Sequence, residues 1–240
     1  MRRTLRLLHT SDVHIGEGSR ADLRLRGLRR VVDVALDRSV DALLIAGDLF
    51  DESRVPDEQI DEAMAELARL DLPTVVTCGN HDALGSPTIY DRVALSDAGT
   101  HIRFAAEPEG EYFVFEGIDL AVWSRSMVVH DPDNLPLDGY APHPGDHWRV
   151  VLAHGHHVDD ATDESHRSSR ISAADIAALE CDFVALGHWH RFFDASTGNV
   201  PAFYSGSPSE SGGSFASANH ITLSVEHGAL VERIPLGDPP

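Results

Sequence analysis

Short apolar runs, most of which end in a glycine or a polar side chain, recur along this chain of 240 residues. Runs of this kind are typical of buried β-strands. They predict strands at Leu5–Leu8, Ala42–Ala46, Pro73–Cys78, His101–Phe104, Tyr112–Phe115, Leu120–Trp123, Arg149–Ala153, Phe183–Leu186, Ala202–Ser205, Ile221–Glu226 and Leu230–Ile234. Residues 125–147 are rich in Pro, Asp and His, and this composition predicts a long loop.

Two longer segments repeat their apolar residues every three or four positions, as the buried face of an α-helix does. The first covers residues 22–38, and its predicted core positions are Leu25, Leu28, Val32 and Leu36. The second begins at Pro56–Asp57, and its predicted apolar stripe is Ile60, Met64 and Leu67. A short helix is expected near Ser172–Leu179.

The alternation of strand, helix, strand, helix and strand up to Cys78 implies parallel strand pairing, and therefore an α/β fold. A hydrophobic content of 42% is sufficient for one full core. The chain shows neither an internal repeat nor a linker. We therefore expect residues 1–240 to form a single domain.

The composition indicates where the protein works. No apolar run approaches the length of a membrane span, and the basic start Met1–Arg3 is not followed by a signal-peptide core. We expect a cytoplasmic protein without a membrane partner. Cys78 and Cys181 are too few for a disulfide framework, so they are expected to be reduced and mostly buried.

The net charge of −20 opposes binding to a polyanion. This charge is uneven, because residues 1–38 contain nine Arg against five Asp or Glu. The chain has no lysine, so every fixed positive charge is a guanidinium, which suits bidentate phosphate contacts. Genomic codon bias explains the same usage and is the favoured interpretation.

Five predicted strands are followed by residues that commonly bind metals. These residues are Asp12 and His14, Asp48, Asn80 and His81, His154, and His188 and His190. Each alone is more simply a turn, a cap or a core histidine. Together they indicate one site, because the carboxyl ends of strands are where α/β sheets place ligands.

The donor types and their spacing indicate metal chemistry. A strand repeats every two residues, so Asp12 and His14 are expected to face the same way and hold one metal. The same geometry would let His188 and His190 hold one metal together if the strand continues. Mixed imidazole and carboxylate donors suit Mn, Fe or Zn better than Ca or Mg.

The order Asp12-x-His14, Gly47-Asp48-x-x-Asp51, Gly79-Asn80-His81-Asp82, His154 and Gly187-His188-x-His190 resembles the calcineurin-like metallophosphoesterases. A closer resemblance is to the DNA double-strand-break repair exonuclease branch. It rests on Leu8–Gly16, Gly47–Asp51, Ala185–His190 and Tyr204–Pro208. The last segment is outside the metal motifs and is either a serine-glycine turn or a substrate loop. The resemblance implies a four-layer α/β/β/α sandwich of two mixed sheets.

The resemblance also implies a role for each site residue. Asp12, His14 and His190 would hold one metal, Asn80, His154 and His188 the other, and Asp48 would bridge them. His81 would face the leaving group, and Asp82 would orient His81 by accepting its other ring proton. His154 is preferred over His156 and His157, because the family ligand precedes a glycine. The remaining histidines are expected at the surface or in loops: His9, His101, His130, His143, His147, His166, His220 and His227.

The expected function is a phosphodiesterase with two divalent ions, manganese first and iron or zinc as alternatives, acting on DNA as a nuclease. The alternatives are an enzyme for small phosphoesters and a non-catalytic module that keeps the fold. If DNA is the substrate, Arg20 and Arg24 are expected to contact its backbone. Arg20, Arg125, Arg167 and Arg170 are expected in loops that could reach the cleft, with the solvated surface as the favoured interpretation for each. Residues 1–240 are expected to lack the DNA-capping domain and the ATPase-binding arm of that branch, so an ATPase partner is not indicated.

Overall fold

A computed structural model describes residues 2–16, 18–85, 87–159, 169–209 and 215–237. The predictions for His166 and Arg167 concern residues outside these ranges. The described strands are β1 (Leu5–Thr10), β2 (Ala42–Ala46), β3 (Thr74–Thr77), β4 (Ile102–Phe104), β5 (Glu111–Phe115), β6 (Leu120–Ser124), β7 (Trp148–His154), β8 (His156–Val158), β9 (Arg170–Ser172), β10 (Phe183–Gly187), β11 (Phe192–Asp194), β12 (Ala202–Ser205), β13 (Ser217–Ser224) and β14 (Gly228–Pro235). The α-helices are α1 (Ala21–Asp37), α2 (Asp57–Leu67) and α3 (Ala173–Ala177), and short 3₁₀ helices lie at Ile89–Asp91, Leu95–Ala98 and Glu116–Ile118.

Two six-stranded sheets form the body of the fold. The first has the order β14-β13-β1-β2-β3-β4, and the second has the order β11-β12-β10-β7-β6-β5. The strands from β1 to β4 are parallel, as the alternation of strands and helices predicts. Antiparallel strands lie at the edges of each sheet, so both sheets are mixed.

Three apolar clusters separate four layers. Leu28 of α1 belongs to the cluster between the helices and the first sheet. Leu44 and Leu152 belong to the cluster between the two sheets. Leu186 and Ile176 of α3 belong to the cluster on the outer side of the second sheet. The predicted α/β/β/α sandwich is confirmed, with a thin fourth layer whose helix α3 has five residues.

The buried face of α1 differs from the prediction at one position. Leu36 is 42% exposed, whereas Val31 and Ala35 are fully buried. Eight residues of helix place Leu36 about 80° around the axis from Leu28, at the margin of the buried stripe. The prediction for Leu36 is therefore wrong.

The short strands β8, β9 and β11 are missed by the sequence pattern. Each has three residues, which is too short to display a hydrophobic period. The strand predicted at Ile221–Glu226 begins earlier, at Ser217, because small polar residues continue the ladder with β14. Cys78 is buried, Cys181 is half-buried, and both are free thiols, as expected. No helix in the described ranges is long and apolar enough to cross a membrane.

Candidate metal centre

The carboxyl ends of strands from both sheets meet at one place. Gly187, at the end of β10, approaches β2 so closely that a Cβ there would overlap the carbonyl oxygen of Ala46. A Cβ on Gly79, which follows β3, would likewise overlap the Asp48 carboxylate. These two glycines allow the loops after the strands to bring polar side chains from both sheets into contact.

Asp12, His14 and His190 form one group, here named the Asp12 triad. Nε2 of His14 lies 3.1 Å from Nε2 of His190, which lies 3.6 Å from Oδ1 of Asp12. The extended geometry expected for Asp12 and His14 is wrong, because β1 ends at Thr10 and both residues have positive φ, 56° and 57°. Their N–H groups instead donate to Gly47 and Asp48 carbonyl oxygens, at 3.1 and 2.9 Å.

Asn80, His154 and His188 form a second group, here named the Asn80 triad. Oδ1 of Asn80 lies 3.1 Å from Nε2 of His154 and 3.0 Å from Nδ1 of His188. The prediction that an extended segment lets His188 and His190 hold one metal is wrong. Strand β10 ends at Gly187 and His188 has φ 107°, so the two histidines separate and each joins a different triad.

Asp48 lies between the two triads. Its Oδ2 is 3.4 Å from Nε2 of His154 and 3.8 Å from Nε2 of His14. Its Oδ1 accepts the backbone N–H of His81 at 2.9 Å, which fixes the carboxylate. The carboxylate therefore has one oxygen directed at both triads.

These side chains are arranged to bind cations rather than to hydrogen-bond with one another. Nδ1 of His154 lies 2.8 Å from the Ala46 carbonyl oxygen, so it must carry the ring proton of a neutral imidazole. Nε2 then presents a lone pair toward the oxygen atoms of Asn80 and Asp48. Nδ1 of His14 lies 3.0 Å from Oδ1 of Asp51, and its Nε2 faces the other members of the Asp12 triad. Lone pairs directed at one point are the arrangement of metal ligands.

Burial keeps these histidines in their ligand form. It lowers the pKa of His14 to about 4, against the opposing charge of Asp12. Burial, together with His154, lowers the pKa of His188 to about 3. The pKa of Asp48 is raised well above its usual value by burial and by the Asp82 carboxylate. A cation between the triads would reverse that effect on Asp48, because it stabilises the ionised carboxylate.

The chain matches the family model for calcineurin-like phosphoesterases over residues 5–192, a range that contains both triads and Asp48. It belongs to this family. The phosphoesterase is thus a metal-dependent hydrolase of phosphoric esters, in a family that uses a dinuclear metal centre.

Two relatives and one solved structure define the neighbourhood of this phosphoesterase. It is 26% identical over 238 residues to the DNA double-strand break repair protein Mre11 of Methanosarcina mazei, covering 94% of this chain and 37% of that protein. It is 26% identical to the SbcD component of the nuclease SbcCD from Bacillus subtilis, covering 85% and 61%. Purple acid phosphatase PPD1 from yellow lupin shares the fold, with a TM-score of 0.65 at 14% identity, covering 99% and 52% of the two chains. The chain thus spans only part of each relative's length.

His81 of the phosphoesterase lies beside the Asp12 triad and is open to solvent, with 44% of its side chain exposed. Its ring meets the His14 ring edge-on, with centroids 4.6 Å apart. Its Nδ1 lies 3.0 Å from the backbone oxygen of Asp51 and 3.4 Å from Oδ1 of the same residue. Asn80, the preceding residue, turns the other way into its own triad.

Asp82 does not accept the ring proton of His81, so this predicted contact is wrong. The Asp82 carboxylate is buried and accepts the N–H groups of Gly79 at 2.7 Å and Leu49 at 2.9 Å, and the hydroxyl of Tyr90 at 2.8 Å. It therefore ties the loop after β2 to the loop after β3. This carboxylate supports the backbone that carries Asp48 and leaves the ring of His81 to Asp51.

Asp51 is the site residue that the sequence reasoning missed, although it is part of the quoted Gly47-Asp48-x-x-Asp51 motif. Its carboxylate contacts Nδ1 of His14, and Arg24 donates a 2.8 Å hydrogen bond to its other oxygen. A carboxylate three residues after the proposed bridging ligand was the available signal. Arg24 consequently has a partner within the protein, and its contact with DNA stays a prediction.

Other predicted positions are corrected by burial. His9 is fully buried in β1, so the expectation that it lies at the surface or in a loop is wrong, whereas His147 lies in the loop before β7, as expected. His156 accepts the indole N–H of Trp189 at 3.1 Å, and His157 lies 3.5 Å from Asp159. Neither enters a triad, whereas His154 does.

Most arginines of the basic N-terminal segment have acceptors inside the protein. Six of the nine in residues 1–38 contact a carboxylate or a backbone carbonyl: Arg2, Arg3, Arg24, Arg29, Arg30 and Arg38. Arg125 is held similarly by Pro108 and Asp138, so it is not a solvated surface residue. Most of the arginines in this segment therefore make contacts within the folded protein.

Proposed function

We propose that this phosphoesterase hydrolyses phosphodiester bonds with two divalent ions, and that its substrate is a DNA strand. The observation that carries the proposal is Asp48, whose Oδ2 lies between two triads of metal-type donors. Supporting the choice of DNA are the relatives named as a DNA double-strand break repair protein and as part of a nuclease.

The Asp12 triad would hold one ion, the Asn80 triad the other, and Asp48 would bridge them. Imidazole, carboxylate and amide oxygen donors together favour manganese, with iron or zinc as alternatives. Bound ions would supply an activated water and offset the negative charge that builds on the phosphate. The Ala46 carbonyl oxygen would keep His154 in its ligand tautomer, and the Asp51 carboxylate would lie beside the ring of His14.

His81 would donate the proton that the leaving oxygen needs. Its Nδ1 points to the backbone oxygen of Asp51, so the opposite ring nitrogen is the one available to a substrate. An imidazole in this position can be charged before bond cleavage and neutral afterwards, as a general acid must be. Its exposure of 44% leaves room for the leaving group beside the Asp12 triad.

A second candidate is hydrolysis of small phosphoesters, such as nucleotides, cyclic nucleotides or phosphoproteins. The net charge of −20 and the six internally bound arginines favour it. Affinity for a long polyanion comes largely from free cations that neutralise phosphates. A small ester needs only the charge of the metal centre.

One assay separates the candidates. The protein is stripped with EDTA, reloaded with Mn²⁺, and given bis-p-nitrophenyl phosphate, p-nitrophenyl phosphate, linear single-stranded DNA and linear duplex DNA. Cleavage of DNA and of the diester, both abolished by Asp48→Asn, supports the nuclease proposal. Hydrolysis of small esters without DNA cleavage selects the second candidate, and a loaded protein inert on all four contradicts both.

A further inference from the structure

The segment Tyr204–Pro208, open to two interpretations from sequence, is a buried turn. Ser205 is fully buried and Ser207 is 1% exposed. A substrate loop needs side chains that reach a ligand from the surface, and these hydroxyls do not. Buried polar groups take partners inside the protein, so the useful question is what this turn holds.

Two hydrogen-bonded connections lead from the turn to Asp12. Oγ of Ser207 donates to the backbone carbonyl oxygen of Asp12 at 2.7 Å. Oγ of Ser205 lies 3.1 Å from Oγ of Ser11, which in turn donates to the Asp12 carboxylate. The turn therefore contacts Asp12 on its main chain directly and on its side chain through one intermediate.

Asp12 adopts a backbone conformation that needs such support. Its φ of 56° lies in the left-handed region, which residues other than glycine rarely adopt and which costs energy. The Asp12 N–H donates to Gly47 at 3.1 Å, and this bond fixes the peptide before the residue. The carbonyl oxygen that Ser207 binds belongs to the peptide after it. The two bonds together fix the backbone of Asp12, and its carboxylate is also held by the N–H of His188 at 3.1 Å.

The turn is itself fixed to the rest of the fold. The N–H of Ser217 in β13 donates to the Ser207 carbonyl oxygen at 2.9 Å. Oγ of Ser217 donates to the Ser205 carbonyl oxygen at 2.7 Å. On the other side, a Cβ on Gly27 of α1 would lie 2.9 Å from the Pro208 carbonyl oxygen. A rigid sheet and a close-packed helix therefore hold the serine hydroxyls in place.

We propose that Ser207 is a positioning residue for Asp12, and that it sets the metal affinity of the Asp12 triad without affecting the Asn80 triad. This rests on the metal-binding part of the proposed function and is independent of the substrate. Loss of the Ser207 hydroxyl frees the peptide after Asp12, so the carboxylate is held only by the His188 N–H and by Ser11, and its direction toward His14 and His190 is less well fixed. The Asn80 triad has its own anchor in the Ala46 carbonyl oxygen bound by His154, and its contact with Asp12 is made by the backbone N–H of His188 and not by the His188 ring.

The test is a titration of the EDTA-stripped full chain with Mn²⁺ by calorimetry. In Ser207→Ala, one of the two sites should bind about 10–100-fold more weakly, the usual loss when a partner of a metal ligand is removed. The other site should keep its affinity. A wild-type chain that binds no Mn²⁺ would overturn the metal site and this inference together, whether or not DNA is cleaved.

Ser124→Ala is the matched control. Ser124 is also fully buried, and its Oγ donates to the Leu152 carbonyl oxygen at 2.9 Å, so the same chemistry is lost elsewhere in the fold. We expect both Mn²⁺ affinities to be retained in this variant. If Ser124→Ala weakens one site as much as Ser207→Ala, the effect is a general consequence of losing a buried hydroxyl and the inference is wrong.

Two backgrounds identify the affected triad. In His190→Ala, which lacks part of the Asp12 triad, adding Ser207→Ala should leave the remaining site unchanged. In Asn80→Ala, the remaining site is the Asp12 triad. Adding Ser207→Ala should weaken that site by the same 10–100-fold, because Ser207 positions Asp12 within it. The reverse pattern, or equal weakening of both sites in the single variant, overturns the assignment.

Ser207→Cys covers the case in which Ser207→Ala does not fold. A thiol has nearly the same size and is a weak donor, so the weaker site should have an affinity between those of wild type and Ser207→Ala. Circular dichroism and thermal unfolding of the metal-free proteins report whether each variant is folded. A folded Ser207→Cys or Ser207→Ala with two unchanged sites would refute the positioning role.

Discussion

Arg24 donates a 2.8 Å hydrogen bond to Asp51, the residue whose carboxylate also contacts the ring of His14 at 3.0 Å. An arginine on the first helix is thereby connected to the metal centre through one carboxylate. Asp51 also lies beside the His81 ring, so its orientation matters to both histidines.

Arg24→Gln should lower kcat/KM on DNA and on bis-p-nitrophenyl phosphate by the same factor, about 10-fold or more. The reason is that Asp51 loses its anchor, and partners of metal ligands commonly contribute this much. Arg26→Gln, an exposed arginine on the same helix, is the matched control and should leave the small diester unaffected. A loss in Arg24→Gln that is confined to DNA would instead support the predicted DNA contact.

Asp48→Asn should release both metals. The variant keeps the size of the side chain but replaces the oxygen that faces both triads with a weaker or non-ligating atom. Inductively coupled plasma mass spectrometry of protein loaded with Mn²⁺ and desalted measures the outcome. Near-full double occupancy would contradict the bridging role, whereas His190→Ala should lose the ion of the Asp12 triad alone.

His81→Ala should keep both metals and lose turnover. Removal of a general acid costs roughly 10²–10⁴-fold, and the cost should shrink for p-nitrophenyl esters, whose leaving group needs little protonation. Rates on an alkyl phosphodiester and on bis-p-nitrophenyl phosphate, measured with metal content on the same samples, give the comparison. A variant that purifies metal-free under conditions that load the wild type would make His81 a ligand.

His9 should make the metal-free protein sensitive to acid. Burial lowers its pKa to about 3, whereas an unfolded chain would have a histidine pKa near ~6.5. The folded state therefore binds the proton less well, and stability that is complete above pH ~6.5 is lost as the pH falls toward 3. In His9→Gln, the drop in unfolding free energy between pH 7 and pH 5 should be smaller by up to about 2 kcal/mol.

Urea denaturation of both proteins at the two pH values measures this difference. His14 and His188 also have lowered pKa values, but they are present in both proteins and cancel in the comparison. Equal drops in wild type and His9→Gln would mean that His9 is accessible to protons in the folded state.

The sequence predicts regular elements well where a feature is local. Ala42–Ala46 is a strand with the predicted limits because an apolar run ends directly at a glycine. The approach of the metal-type residues also follows from strand ends. The strand β11 has no such local signal, since three residues cannot display a period.

The details of the site depend on long-range contacts that no spacing rule contains. Asp12 and His14 adopt the left-handed backbone conformation, which cannot be predicted from their residue types. His188 and His190 separate because the strand stops at Gly187. Asp82 uses its carboxylate for buried hydrogen bonds to the loop after β2. The ring of His81 therefore lies beside Asp51 and not beside Asp82.

Each triad draws its side chains from both sheets. Asp12 and His14 follow β1 of the first sheet, whereas His190 follows β10 of the second; Asn80 follows β3, whereas His154 ends β7. Every bound ion would therefore link the two sheets of the sandwich through its ligands. Ligand binding to the folded state alone adds to its stability. Chelation should thus lower the melting temperature as well as stop the chemistry. The same side chains would then hold the catalytic ions and join the two sheets.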